Sequence, residues 1–166
     1  MRRREMALAG DVSPASLATP LGAVTLFARP DTLIALSWGE APAAAAPLPP
    51  VLEQALDHLD RYFAGVPLPD ALPLEPAGTP YQQRVWRAIA AIPFAAVRSY
   101  ADLARELSSG PRAIASACAR NPLPLFIPCH RVVGSGGTLG GYSGGAGLAT
   151  KRALLALEGT VLRHAG

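Results

Sequence analysis

Apolar positions in the first third of the chain run continuously or alternate, the pattern of strands. Thr19 to Ala28 and Thr32 to Trp38 predict two strands around a turn at Pro30-Asp31. A Pro/Ala loop follows from Gly39 to Pro50. Val51, Leu52, Ala55, Leu56, Leu59, Tyr62 and Phe63 then recur at helical spacing with acids on the other face. Val51 to Ala64 therefore predicts an amphipathic helix, ended by Gly65. Val66 to Gly78 holds four prolines and no periodicity, and predicts a linker or a wrapped loop.

The second half is dominated by helix signals. Thr79-Pro80-Tyr81-Gln82 is a capping box with proline at the first helical position, and the helix it opens carries Val85, Trp86 and Ile89 up to Pro93. Ser99-Tyr100-Ala101-Asp102 predicts a second cap, followed by Leu103, Ala104 and Leu107. After the break Ser108-Ser109-Gly110, Pro111 starts a third helix through Arg120, and the pair forms a helix-turn-helix. Asn121-Pro122 stops it. Leu123 to Val133 predicts an extended segment. A glycine-rich loop runs from Gly134 to Gly147, and a last amphipathic helix from about Leu148 to Glu158-Gly159.

Composition narrows the class. Half of the 166 residues are hydrophobic and 16% are charged, which excludes a disordered chain. Two cysteines provide neither a disulfide framework nor a zinc finger. Met1 to Gly10 has too few apolar residues for a signal peptide, and prolines at 42, 47, 49 and 50 exclude a membrane helix there. A cytoplasmic protein without a membrane partner is expected. The charge is uneven: five arginines face nine acids up to Gly78, whereas ten cations face three acids from Thr79 onward. The boundary is placed there, between residues 1–78 and 79–166. A positive half built on arginine suits a polyanion such as nucleic acid.

After Arg112 the third helix offers Ala113, Ile114, Ala115, Ser116, Ala117, Cys118 and Ala119, with little to read base edges. A thin helix fits a minor groove, through backbone and small side chains and with little sequence preference. Alternatively these alanines face the core. Cys118 reads as a small packing residue, and His58 and His164 as solvated. The glycine-rich loop lacks the spacing of a phosphate or dinucleotide loop.

Ile127-Pro128-Cys129-His130-Arg131-Val132 is the most specific segment. A histidine and an arginine beside a cysteine create a field that favours thiolate. Neighbours in an extended segment point to opposite faces, so His130 would reach Cys129 only through a water or a bend at Pro128. A histidine base needs an acceptor on its other nitrogen, and Glu158 is the natural candidate.

Pro128-Cys129-His130-Arg131-Val132, with Arg120-Asn121-Pro122 before it and Gly141-Tyr142-Ser143-Gly144-Gly145 after it, resembles the O6-alkylguanine-DNA alkyltransferases. Thr79 to Trp86 and Ser99-Tyr100 match the same family, and the likeness runs nearly unbroken from Thr79 to Gly159. Before that it rests on Thr19 to Gly22 and the helix ending Tyr62 to Gly65. The resemblance implies an α/β (α+β) protein: a small ribonuclease-H-like amino-terminal domain with a proline-rich linker, then a mostly helical, winged-helix-like domain with a helix-turn-helix. It implies DNA repair by transfer of an alkyl group from O6 of guanine, and from O4 of thymine, to the protein's own cysteine. The reaction would occur once per chain, in a monomer, on double-stranded DNA, without metal or cofactor.

The resemblance also implies roles. Cys129 would accept the alkyl group, activated through water by His130, which Glu158 orients. Arg112 would fill the gap left by a flipped nucleotide, and Tyr100 would promote flipping and hydrogen-bond the departing base. Ala113, Ser116 and Arg120 would touch DNA, and Asn121 would fix the turn after the helix. Val132 would offer a carbonyl to the base, Tyr142 and Ser143 would wall the pocket, and Lys151 would help hold the loop. Ala115 and Ser116 stand where many members have glycine, and Ala95-Ala96 where Gly-Glu is usual. The loop from Gly145 to Lys151 is longer than in vertebrate members, and the zinc site of some members has no counterpart. Three rivals make distinct claims. A silent lesion binder would lack the cysteine, a transcription factor would bind a sequence, and a cysteine hydrolase would turn over.

Overall fold

The computed structural model describes residues 11–42, 47–160 and 162. Expectations for the first ten residues, for the middle of the Pro/Ala loop and for His164 lie outside the described residues. The chain divides into two compact units, Met1–Glu75 and Pro76–Gly166.

In the first unit, β1 (Ser13–Thr19), β2 (Gly22–Ala28) and β3 (Leu33–Trp38) form an antiparallel sheet in that order. Helix α1 (Pro50–Phe63) covers one face, burying Val51, Leu52, Ala55, Leu59 and Tyr62 against Val24, Leu26, Leu33 and Leu36. The predicted strand from Thr19 to Ala28 is corrected. Thr19 ends β1, and β2 begins at Gly22, whose φ of 107° closes a tight hairpin. Thr19 Oγ1 donates to Gly22 O and accepts from Leu21 N at 3.1 Å. The turn at Pro30-Asp31 is present, with Arg29 N donating to Thr32 O at 2.9 Å. The proline-rich segment wraps back onto β3: Leu33 N donates to Pro73 O and Glu75 N to Leu33 O, at 3.0 and 2.9 Å. His58, expected in solvent, is half-buried on α1.

The second unit holds α2 (Pro80–Ala90), β4 (Arg98–Ser99), α3 (Tyr100–Glu106), α4 (Pro111–Ala119), β5 (Val132–Val133) and α5 (Leu148–Leu157). The capping box of α2 is formed in both directions, Thr79 Oγ1 accepting from Gln82 N and Gln82 Oε1 from Thr79 N, at 3.1 and 3.0 Å. Such a cap contributes about 0.5–2 kcal/mol. Trp86 is buried, and its Nε1–H donates to Ala117 O at 2.9 Å, which fixes α4 to α2. The ring lies so close to Gly78 that a Cβ there would meet it at 2.4 Å. Tyr81 and Ser109 share a hydroxyl hydrogen bond of 2.7 Å that anchors the turn between α3 and α4.

The extended segment predicted from Leu123 to Val133 is also corrected. Prolines 124 and 128 remove ladder donors, Leu125 sits at φ 74°, and apart from an isolated bridge between Pro124 and Ile127 only Val132–Val133 pairs, in parallel with β4. Cys129–Arg131 is instead a 3₁₀ turn, closed by Arg131 N donating to Pro128 O at 2.9 Å. Among the described residues, no helix is long and apolar enough to cross a membrane.

Candidate active site

Cys129 opens the 3₁₀ turn and is 8% exposed, at the wall of a cavity of about 340 Å³. That volume lies within the range of small-molecule sites, roughly 300–1,000 Å³. Tyr100 from α3, Ala115, Cys118 and Ala119 from α4, and Gly141, Tyr142 and Ser143 from the glycine-rich loop complete the lining.

Behind the cysteine lies a buried ionic cluster. His130 and Glu158 are both buried, and His130 Nε2 meets Glu158 Oε2 at 2.6 Å. Arg131 grips the same carboxylate with two donors, Nε to Oε1 at 2.8 Å and Nη2 to Oε2 at 3.1 Å. Its Nη1 donates to Ile92 O at 2.8 Å, and its guanidinium stands 5.8 Å from the Phe94 ring centre. Ala95 N adds a further bond to Oε1 at 3.2 Å, from a backbone at φ 68°. The carboxylate's charge is thereby matched by a bidentate guanidinium, a geometry that survives burial.

This pairing corrects the expected field at the cysteine. Arg131 is turned to Glu158, and burial pushes the Cys129 thiol above its ordinary value. An Asn121 side-chain hydrogen bond, the Lys151 charge and the backbone N–H groups of Cys129 and His130 pull the other way without prevailing. Burial also lowers His130, against the raising effects of Glu158. Burial thus disfavours the charged form of both the thiol and the imidazole.

Asn121 clamps the turn after α4: Nδ2 donates to Ile127 O at 2.8 Å, and Oδ1 accepts from Leu123 N at 2.9 Å. Lys151 is fully buried, and its Nζ donates to Val132 O at 2.6 Å and to Gly141 O at 3.1 Å. It ties the strand after the cysteine to the glycine-rich loop. Burial lowers its pKa to about 8, and the ammonium stands 5.7 Å from the Tyr100 ring centre. Tyr100 is half-buried, with burial the main cause of a pKa near 12. A Cβ on Gly140, at φ 71°, would meet its ring at 2.7 Å.

Of the alanines of α4, Ala113, Ala115 and Ala119 do not face the core, whereas Ala117 does. Arg112, Ala113, Ala115, Ser116, Ala119 and Arg120 are exposed, while Ile114 and Ala117 are buried. Cys118 departs from expectation: it lines the cavity with Cys129 instead of only packing the helix. Cys129, Tyr100, Tyr142 and Ser143 thus meet at one cavity, with His130, Glu158, Asn121, Val132 and Lys151 behind it. The residues 112, 113, 116 and 120 lie on the outer face of α4. Among the described residues, no three His, Cys, Asp or Glu side chains could hold a metal ion together.

Two family models match the chain: the ribonuclease-like domain of 6-O-methylguanine DNA methyltransferase over residues 14–76, and its DNA binding domain over residues 80–160. The methylated-DNA–protein-cysteine methyltransferase of Mycobacterium tuberculosis H37Rv is 37% identical over 147 residues, 84% of this chain and 88% of that one. The chain belongs to this methyltransferase family. The constitutive member from Bacillus subtilis is 47% identical over 97 residues, a match spanning 57% of this chain and 59% of that relative. The crystal structure of the Mycobacterium tuberculosis protein in complex with DNA matches with a TM-score of 0.77 at 37% identity, covering 88% of this chain and 92% of that one.

For a methylated-DNA–protein-cysteine methyltransferase, three contributors here were not anticipated from sequence: the Arg131 fork on Glu158, the Ala95 amide, and the Cys118 wall. Only Arg131 left a trace, as a cation next to the cysteine with no acid nearby in sequence. The other two depend on folding that brings distant segments together.

Proposed function

We propose that this protein repairs DNA by direct reversal, as a single-turnover methylated-DNA–[protein]-cysteine S-methyltransferase acting on O6-alkylguanine and on O4-alkylthymine. The observation that carries the reading is a thiol lining a base-sized cavity with a buried histidine–glutamate pair, 2.6 Å apart, on the neighbouring residue. Residues 79–166 would bind DNA and perform the transfer, and residues 1–78 would form the α/β domain with its proline-rich linker. The exposed small side chains of α4 suit close approach to a minor groove without sequence preference, with Arg112 and Arg120 flanking them. An alkyl carbon within a base stack is out of reach of a protein sulfur, so the nucleotide must flip. Arg112 then fills the gap.

In the cavity the Cys129 proton passes through a water to His130, whose positive charge Glu158 stabilises. The sulfur lone pair forms the S–C bond as the C–O6 bond breaks, and its electrons leave on the guanine. Tyr100, whose hydroxyl keeps its proton to about pH 12, supplies a hydrogen bond to that anion. The thioether has no hydrolytic exit, so each chain reacts once. The protein is read as a cytoplasmic monomer that needs no cofactor.

The test is intact-protein mass after incubation with excess duplex containing O6-methylguanine. One methyl group per chain is expected, on the peptide holding Cys129, and Cys129→Ser should accept none while still binding duplex DNA. Repeated release of product, or methylation of Cys129→Ser at Cys118, would overturn the assignment.

A further inference from the structure

Cys118 is unaccounted for in this chemistry, yet it shares the cavity with the nucleophile. It reaches the cavity from α4, whereas Cys129 reaches it from the 3₁₀ turn, and Tyr100 and Tyr142 line the space with them. These are the chain's two cysteines, and both are free thiols. With an alkylated base in this cavity and its alkyl carbon at Cys129, as the transfer reading requires, the rest of the alkyl group would lie in a space that Cys118 also borders.

We infer that Cys118 is a second covalent acceptor, which closes a bridge to Cys129 when the transferred alkyl group carries its own leaving group on the next carbon. The inference rests on the transfer reading above. With a 2-chloroethyl lesion, Cys129 takes the two-carbon unit and guanine departs with the electrons of the C–O6 bond. The new thioether sulfur then displaces chloride from its own β-carbon, giving a three-membered episulfonium. The Cys118 sulfur attacks one of its carbons, the C–S⁺ bond breaks to restore a neutral thioether, and the Cys118 proton goes to water. The product is Cys129–S–CH₂CH₂–S–Cys118, with chloride and a proton released, and no oxidant enters.

The first step prepares the second. Burial first and the neighbouring Cys129 second raise the Cys118 thiol to about 12, and Cys129 as a thioether can no longer carry a charge that opposes ionisation of Cys118. Departure of guanine readmits water and weakens the effect of burial. The Lys151 charge, which favours Cys118 thiolate, stays in place.

The experiment treats the full chain with duplexes containing O6-methylguanine or O6-(2-chloroethyl)guanine, then reads intact mass, thiols under denaturing conditions and the protease map. The methyl duplex should leave one free thiol and S-methyl on Cys129; failure there overturns the transfer reading, and the bridge with it. The chloroethyl duplex should leave no free thiol, a gain of C₂H₄ less two hydrogens, and one linked peptide pair containing residues 118 and 129. Cys118→Ser and Cys118→Ala should end as a 2-hydroxyethyl group on Cys129. A 2-hydroxyethyl adduct with free Cys118 in the unsubstituted protein, or a protein–DNA cross-link in its place, would overturn the bridge while sparing methyl transfer.

Discussion

The two sides of the reaction cavity are built on opposite plans. One side, the exposed face of α4 with the glycine-rich loop, offers Ala115, Ala119, Gly141 and Ser143, small groups with no charge of their own. The other buries His130, Arg131, Lys151 and Glu158, each under 8% exposed, with His130 and Arg131 on the Glu158 carboxylate and Lys151 on the carbonyls of Val132 and Gly141. A surface meant to admit any sequence needs shape and little else, because base-reading side chains would impose preferences. A site that must move one proton at one thiol needs groups that cannot wander. On the transfer reading, the difference separates binding from chemistry, so each side can be damaged without the other.

The largest expected effect is on the charged side. Glu158→Gln keeps a partner for His130 but leaves the Arg131 guanidinium buried without its counter-charge. Breaking a buried pair in this way costs about 3–5 kcal/mol. Glu158→Gln should therefore lose stability in a denaturant titration as well as transfer rate, and wild-type stability in that variant would show that the pair holds little of the fold. Replacing Arg131 as well, as Arg131→Met with Glu158→Gln, should restore part of the stability but not the rate.

On the plain side, Arg112→Ala should leave fold and chemistry alone and slow only the duplex reaction. Unstacking a base costs a few kcal/mol. A loss of roughly 1.4 kcal/mol of compensation is about tenfold in rate. Single-turnover rates on methylated duplex and on free O6-benzylguanine separate the two steps. Equal slowing on both substrates would move Arg112 from flipping into chemistry or folding.

The smallest effect returns to the charged side. Ala95 donates its amide to Glu158 from φ 68°, a conformation that costs a side-chain-bearing residue roughly 1–2 kcal/mol. Ala95→Gly removes that strain but adds freedom to the unfolded chain, so a net gain of about 0.5–1 kcal/mol is expected in thermal unfolding. A loss of stability would mean that the methyl group packs usefully where it is.

What could be read in advance followed the range of the interactions. The Thr79 capping box, the Ser99 cap, the Gly110-Pro111 helix start and the turn at Pro30-Asp31 are decided by neighbours within four residues, and all four are present. Strand β1 was missed because Ser13 to Thr19 mixes small, polar and proline residues and becomes a strand by pairing with β2. The turn at Cys129–Arg131 was read as extended because apolar runs with prolines do not distinguish a strand from irregular buried chain. The scarcity of acids after Thr79 points to the His130–Glu158 partnership, whereas the Arg131 fork on the same carboxylate depends on a fold that brings residues 131 and 158 together. That fork is also why a thiolate-favouring field at Cys129 did not follow from composition alone.

The carboxylate of Glu158 also sets an order of events in the life of the chain. Its partners lie at positions 95, 130 and 131, separations of up to 63 residues along the backbone. Glu158 lies beyond all three in the chain, 28 residues after His130 and 63 after Ala95. Until the last helix docks, His130 lacks the anion that would hold its proton, and Arg131 is still in water. A chain whose last helix has not docked thus holds Cys129 without the completed cluster behind it, and on the transfer reading competence arrives only when the segment from 95 to 158 closes. Substitutions in α5 far from the cavity would then act by delaying that closure, lowering the yield of reactive protein while leaving the rate of each finished molecule unchanged.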